Sequence, residues 1–162
     1  MPNGLSDFLF NLVMIGKHAG KGQASVTKIG EGGDPASAPL ARILIVEDEV
    51  FLALDIEATL EMAGYGIVGI EGRAPEAVAR ARRERPDLVL MDVKLALGDG
   101  VDAAIEIFET TGIRSFFLSA HIDGFTRRRA APAQPLGWLP KPMQPEKLTA
   151  AVAAAIGQSH AS

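Results

Sequence analysis

Ile43-Leu44-Ile45-Val46-Glu47-Asp48-Glu49 is the stretch that decides the fold. Four aliphatic residues fill both alternating positions, as a strand covered by helices on both faces requires, and three acids follow at once. The aliphatic pattern returns at Ile67-Val-Gly-Ile70, Leu88-Val-Leu-Met91 and Phe116-Phe-Leu118, and a shorter fifth strand fits Gly137-Trp-Leu139. Helical spacing fills the intervals. Ala74, Ala77, Val78 and Ala81 recur at i, i+3, i+4 and i+7, with Pro75 suited to a first turn. Val101, Ala104, Ile105 and Phe108 repeat that spacing, as do Leu148, Ala151, Val152, Ala155 and Ile156. Five strand-helix units in succession predict an α/β fold, a doubly wound five-stranded parallel sheet with helices on both faces.

Upstream of Arg42 the text changes character. Seven of the 17 glycines stand in residues 1–40, which read as a Gly/Pro-rich extension ahead of a domain at 41–157, with a short tail at 158–162. Within the extension, Leu5 to Ile15 is an apolar run of about 11 residues, against about 20 for a membrane-spanning helix. Lys17 follows the run instead of preceding it, so no signal peptide is expected either. The run is read as a short docked helix or as a poorly ordered extension. A chain of 162 residues has room for one domain and no second catalytic one. With no cysteine there are no disulfides or thiolate metal sites, which suits a reducing compartment and predicts a cytoplasmic protein. A net charge of −4 argues against direct nucleic-acid binding, which calls for a basic face.

In a sheet of this kind the site lies beyond the carboxyl ends of the strands. The residues at those ends are Glu47, Asp48 and Glu49 after the first strand, Asp92 after the third, Ser119 after the fourth and Lys141 after the fifth. Carboxylates brought together repel one another unless a cation shares them. A hard, oxygen-seeking ion is the natural one, Mg²⁺ or, in its place, Mn²⁺. Asp92 beside a metal and an ammonium is a nucleophile toward phosphorus and would form an acyl phosphate. Lys141 would neutralise the transferred group, and the Ser119 hydroxyl would donate to one of its oxygens.

These residues resemble the receiver domains of two-component response regulators. The resemblance rests on Ile43 to Glu49, Pro86-Asp-Leu-Val-Leu-Met-Asp92, Gly98-Asp-Gly100, Ser119-Ala120 and Lys141-Pro142, and covers about Ala41 to Gly157. It implies a flavodoxin-like strand order 2-1-3-4-5 and Asp92 as phospho-acceptor. It implies Mg²⁺ ligation by Asp48 and Asp92, with Glu47 acting through water and the Lys94 carbonyl completing the site. Ser119 and Trp138 would be the switch pair, Lys141 would contact the phosphoryl group, and the Lys141-Pro142 bond is commonly cis in the family. The upstream partner would be a sensor histidine kinase or a histidine phosphotransfer protein.

The sequence also departs from the family. Ala96 stands where proline is usual, which predicts a more mobile loop after the third strand. Lys94 and His121 occupy positions that, in the family the sequence resembles, tune how fast water removes the phosphoryl group. After the fourth strand, Gly124, Pro132 and Pro135 allow only one or two helical turns near Phe125 to Ala130, as in a subgroup of receivers with a degenerate fourth helix. Arg127, Arg128 and Arg129 there would face an acidic partner or solvent. On the first helix Leu52, Ile56, Leu60 and Ala63 form one stripe, facing the sheet. Phe51, Leu54, Ala58 and Met62 form a second that would meet the phosphodonor or be covered by neighbouring helices or the Leu5–Ile15 run. The expected protein is a stand-alone receiver, not an enzyme, that signals to an unidentified downstream protein or serves a phosphorelay. Two alternatives stand beside it: a receiver-like scaffold working without phosphorylation, and an aspartate-nucleophile phosphohydrolase, disfavoured because that class has its nucleophile after the first strand.

Overall fold

A computed structural model describes residues 38–159. The expected extension falls outside the described residues up to Ser37, and with it the Leu5–Ile15 run; so do the last three residues of the tail. Five strands and five helices alternate: β1 (Arg42–Val46), α1 (Val50–Met62), β2 (Gly66–Glu71), α2 (Ala74–Glu84), β3 (Leu88–Asp92), α3 (Gly100–Thr111), β4 (Ser115–Ser119), α4 (Gly124–Ala130), β5 (Gly137–Pro140) and α5 (Pro145–Ser159). All neighbouring strands are parallel, in the order β2-β1-β3-β4-β5.

Side chains of a strand alternate between faces, and here each face has its own core. Ile43, Ile45, Leu88, Leu90, Phe116 and Leu118 pack on Ile56 and Leu60 of α1 and on Leu148, Val152 and Ala155 of α5. Leu44, Val46, Val89, Met91 and Phe117 pack on Ala77, Val78 and Ala81 of α2 and on Val101, Ala104 and Ile107 of α3. β3 and β4 are buried at every residue, whereas the edge strands β2 and β5 are half-buried along most of their length. The buried face of α3 is rotated from the expected one: Ala103 and Ile107 are buried, while Ile105 and Phe108 pack at its margin. On α1, Ala53 is buried beside Ile56 and Leu60, and Leu52 and Ala63 are partly buried against the same core.

α4 is short, as the glycine and prolines require. Asp123 caps it by accepting from the Thr126 N–H at 2.7 Å, and a single 3₁₀ turn over Ala131–Ala133 carries the chain past Pro132. α5 continues through Ser159, two residues past the expected domain end.

Candidate functional site

Glu47, Asp48 and Asp92 meet at the carboxyl edge between β1 and β3, each offering an oxygen within 4.8 Å of the others. They converge because the first and third strands are neighbours in register, Val46 opposite Met91, so the residues after them emerge side by side. Lys141, just past β5, reaches back across the edge. Its Nζ donates to Glu47 Oε2 at 2.5 Å and to Asp92 Oδ2 at 2.8 Å. Backbone donors hold three of the remaining four oxygens. Glu49 N–H donates to Glu47 Oε1 at 3.0 Å, Lys94 N–H to Asp92 Oδ1 at 3.1 Å and Ala96 N–H to Asp48 Oδ2 at 2.9 Å.

Burial pushes the Glu47 carboxyl above its ordinary range, with the Lys141 bond opposing. Lys141 shows the reverse balance. Burial alone would lower its ammonium, but its bonds to Asp92 and Glu47 prevail and hold it above the usual lysine range. With all three acids ionised, the cluster of Glu47, Asp48, Asp92 and Lys141 carries two negative charges in excess, beside a cavity of about 280 Å³ that Asp48, Asp92 and Lys141 line together with Glu49 and Lys94. A divalent cation cancels that excess, and an all-oxygen donor set suits a hard one.

Gly100 packs against the backbone of Asp92. A Cβ there would sit 1.8 Å from the Asp92 carbonyl oxygen, so only glycine lets α3 start against the end of β3. Ser119 closes the far side with its residue almost fully buried. Its Oγ donates to the His121 carbonyl at 2.6 Å and accepts from the His121 N–H at 3.1 Å, so its hydrogen is held by the local loop. Trp138 stacks on Phe117, ring centroids 4.5 Å apart and planes 19° from parallel, and the Arg127 guanidinium lies 5.5 Å above the Trp138 ring. Lys94 and His121 are exposed at the rim of the cavity. The Lys141-Pro142 bond is cis.

The surface residues singled out in the sequence divide. Phe51 and Met62 stand 89% and 90% exposed on α1, with Ala58 exposed and Leu54 half-buried. Arg127 and Arg128 are exposed, but Arg129 is taken up within the fold. It donates to Asp99 Oδ1 at 2.7 Å, Asp99 Oδ2 at 3.3 Å and Asp102 Oδ1 at 2.9 Å. Asp99 also caps α3, accepting from Val101 and Asp102 N–H. An aspartate directly before a helical pattern is a cap signal; nothing in the sequence pairs it with an arginine thirty positions on. Nor does Ala96 leave its loop unanchored. Leu97 accepts from Ala74 N–H at 3.0 Å, and Lys94 bridges to Asp99.

A doubly wound parallel sheet with an acidic, lysine-bridged pocket at its carboxyl edge defines a class of α/β protein whose clustered carboxylates could hold a divalent cation. The chain belongs to the response regulator receiver domain family, whose model matches residues 43–153. It is similar to the transcriptional regulatory protein PdtaR of Mycobacterium tuberculosis, 36% identical over 129 residues that cover 80% of this chain and 63% of that protein. It is also similar to the phyllosphere-induced regulator PhyR of Methylorubrum extorquens, 35% identical over 79% of this chain and 48% of that one. The chain thus spans about half to two-thirds of the length of these relatives. Among solved structures it resembles the signal receiver domain of a modulated diguanylate cyclase from Desulfovibrio desulfuricans (TM-score 0.69, 32% identity, 75% of this chain and 98% of that one). It resembles too an anti-anti-sigma factor PhyR mutant from Bartonella quintana (TM-score 0.63, 30% identity, 75% and 50%). Among the described residues no helix is long and apolar enough to cross a membrane.

Proposed function

We propose that this chain is a phosphorylation-controlled switch that accepts a phosphoryl group on Asp92 and passes its state to another protein. The observation that carries the reading is the Lys141 bridge: one ammonium bonded to Asp92 and Glu47, with Asp48 completing a three-carboxylate cluster. Asp48, Asp92 and the Lys94 carbonyl would hold Mg²⁺, with Glu47 acting through water. When bound, the ion supplies neutralising charge to the phosphoryl oxygens.

An Asp92 carboxylate oxygen attacks the phosphorus of a phosphohistidine on a kinase or phosphotransfer protein, the P–N bond breaks, and an acyl phosphate forms. The Lys141 ammonium, already beside the acceptor, pairs with a phosphoryl oxygen. Ser119 trades the His121 carbonyl for another phosphoryl oxygen, and Trp138 repacks with it. Lys94 and His121, at the rim, govern the approach of water. Phosphodonor contact falls to the apolar stripe of Phe51, Leu54, Ala58 and Met62. The α4 arginines, chiefly Arg127 and Arg128, face the downstream partner. The anti-anti-sigma role named for one relative accords with a protein target. The setting is cytoplasmic and the chain turns over no external substrate.

Incubation with acetyl phosphate and Mg²⁺ tests the reading by intact mass. A lasting adduct that vanishes in Asp92→Asn supports it, whereas steady phosphate release indicates a hydrolase and no adduct a scaffold. Lys94→Ala should change the adduct's lifetime; an unchanged rate removes Lys94 from the mechanism.

A further inference from the structure

We infer that the backbone N–H of Ala96 positions Asp48 as a metal ligand, an inference that rests on the phospho-acceptor reading above. The argument begins with the oxygens of the three carboxylates. Both oxygens of Glu47 accept hydrogen bonds, from Glu49 N–H and Lys141, and both of Asp92 do, from Lys94 N–H and Lys141. Asp48 Oδ2 accepts from Ala96 N–H at 2.9 Å, and its Oδ1 has no hydrogen bond among the described residues. Asp48 therefore presents one committed oxygen and one open to a cation. That solvent-exposed bond at Oδ2 is the one hydrogen bond on the Asp48 carboxylate among the described residues.

That donor comes from far along the chain and is itself held. Leu97, the next residue, pairs with Arg73 and accepts from Ala74 N–H at 3.0 Å, which ties the loop to the start of α2. Gly98 follows with φ +90° and lies against Ala74, where a Cβ would come within 2.5 Å of the Ala74 Cβ. Lys94, two residues before Ala96, bridges to Asp99. The Ala96 N–H is thus fixed by elements outside the pocket, and Asp48 is aimed by a scaffold that does not itself touch the ion. Hydrogen bonds that orient metal-binding carboxylates in this way are typically worth about 10-fold to 100-fold in metal affinity.

The test measures Mg²⁺ binding by calorimetry on the full chain with no phosphodonor present, so that it reads affinity apart from phosphorylation. Ala96→Pro deletes the N–H, and an ester in place of the Leu95–Ala96 peptide bond deletes it while keeping the alanine side chain. Each should raise the Mg²⁺ dissociation constant about 10-fold. Ala96→Gly keeps the donor and should bind within about twofold of wild type. Equal Mg²⁺ affinity in wild type and the ester variant overturns the inference and leaves the phospho-acceptor reading standing. Loss in Ala96→Gly as large as in Ala96→Pro also overturns it, since loop stiffness and not the N–H would then be responsible. Failure of the wild type to bind Mg²⁺ overturns both.

Discussion

The two sides of the sheet's carboxyl edge are held by different kinds of bond. On the β1 and β3 side the polar contacts join distant parts of the chain: Lys141 to Glu47, Lys141 to Asp92 and Ala96 to Asp48. On the β4 and β5 side the side-chain bonds of the loop after β4 are local. Ser119 bonds to His121 two residues on, and Asp123 to Thr126 three on. The long-range contacts there are the Lys141 N–H to the Ser119 carbonyl at 2.9 Å, one guanidinium on two part-exposed carboxylates and one cation over a ring. Long-range bonds fix atoms relative to the whole fold, while local ones travel with their segment. The first side therefore holds its side chains in place, and the loop of the second can repack for a small change in free energy.

The largest effect should come from breaking the fixed side at its acceptor. Asp92→Asn is expected to abolish the acetyl phosphate adduct, because an amide is no nucleophile toward phosphorus, while the urea midpoint moves little; mass spectrometry and denaturation read the two outcomes. Lys141→Met should come next. It strands the buried Glu47 carboxylate, and removing one partner of a buried pair costs about 3 kcal/mol at neutral pH. Glu47 already has a raised folded-state pKa from burial, and losing the opposing lysine raises it further. The folded variant then binds a proton more tightly than the unfolded chain, so acid favours folding. The deficit should shrink as pH falls from neutral towards the unfolded glutamate value of about 4. A deficit that grows with acid would mean that Glu47 is not the stranded charge.

A smaller effect belongs to the other side. Arg129→Ala removes the bonds to Asp99 and Asp102, but these side chains are more than a third exposed and solvent screens the pair. Urea denaturation should register about 1 kcal/mol or less. Burial alone would raise the Asp99 carboxyl, yet the Arg129 guanidinium and the N–H groups of Asp102 and Val101 hold it below the ordinary range. A depressed folded pKa gives stability that is present above the unfolded value of about 4 and lost as pH falls through the folded one. Wild type and variant should converge in that acidic window and differ above it.

The fold was legible because its central strands are buried on both faces, which leaves an unbroken aliphatic run in β1, β3 and β4. The edge strands read as the same type, although their residues are only half-buried: apolar runs report strand, not its place in the sheet. On α3 the apolar residues span more than one face, and close approach to the sheet selects the small Ala103 and Ala104 over Phe108. In the site, side chains announced themselves by type and position, as Asp92, Lys141 and Ser119 did. The backbone partners did not. Every residue but proline carries an N–H and every residue a carbonyl, so residue type does not mark the N–H of Lys94 and Ala96 or the backbone of His121 as site partners, and those contacts arise only when the chain is folded.

The smallest change is the sharpest test of whether the two sides are separable. Arg127 touches the switch side alone, through the face of Trp138, and that tryptophan is the chain's single one. An exposed cation over an aromatic ring contributes about 0.5 kcal/mol, so Arg127→Ala should barely move the urea midpoint. Trp138 emission should nonetheless change, because the charge 5.5 Å from the ring is gone. If the chemistry side is fixed by its own long-range bonds, the rate of phosphorylation by acetyl phosphate should stay at the wild-type value, while the emission change on phosphorylation differs. A variant that slows phosphorylation as it alters emission would join the two sides into one unit. The Lys141 bridge would then have to be read as part of the switch, since Lys141 follows β5 and donates its N–H to the Ser119 carbonyl at 2.9 Å.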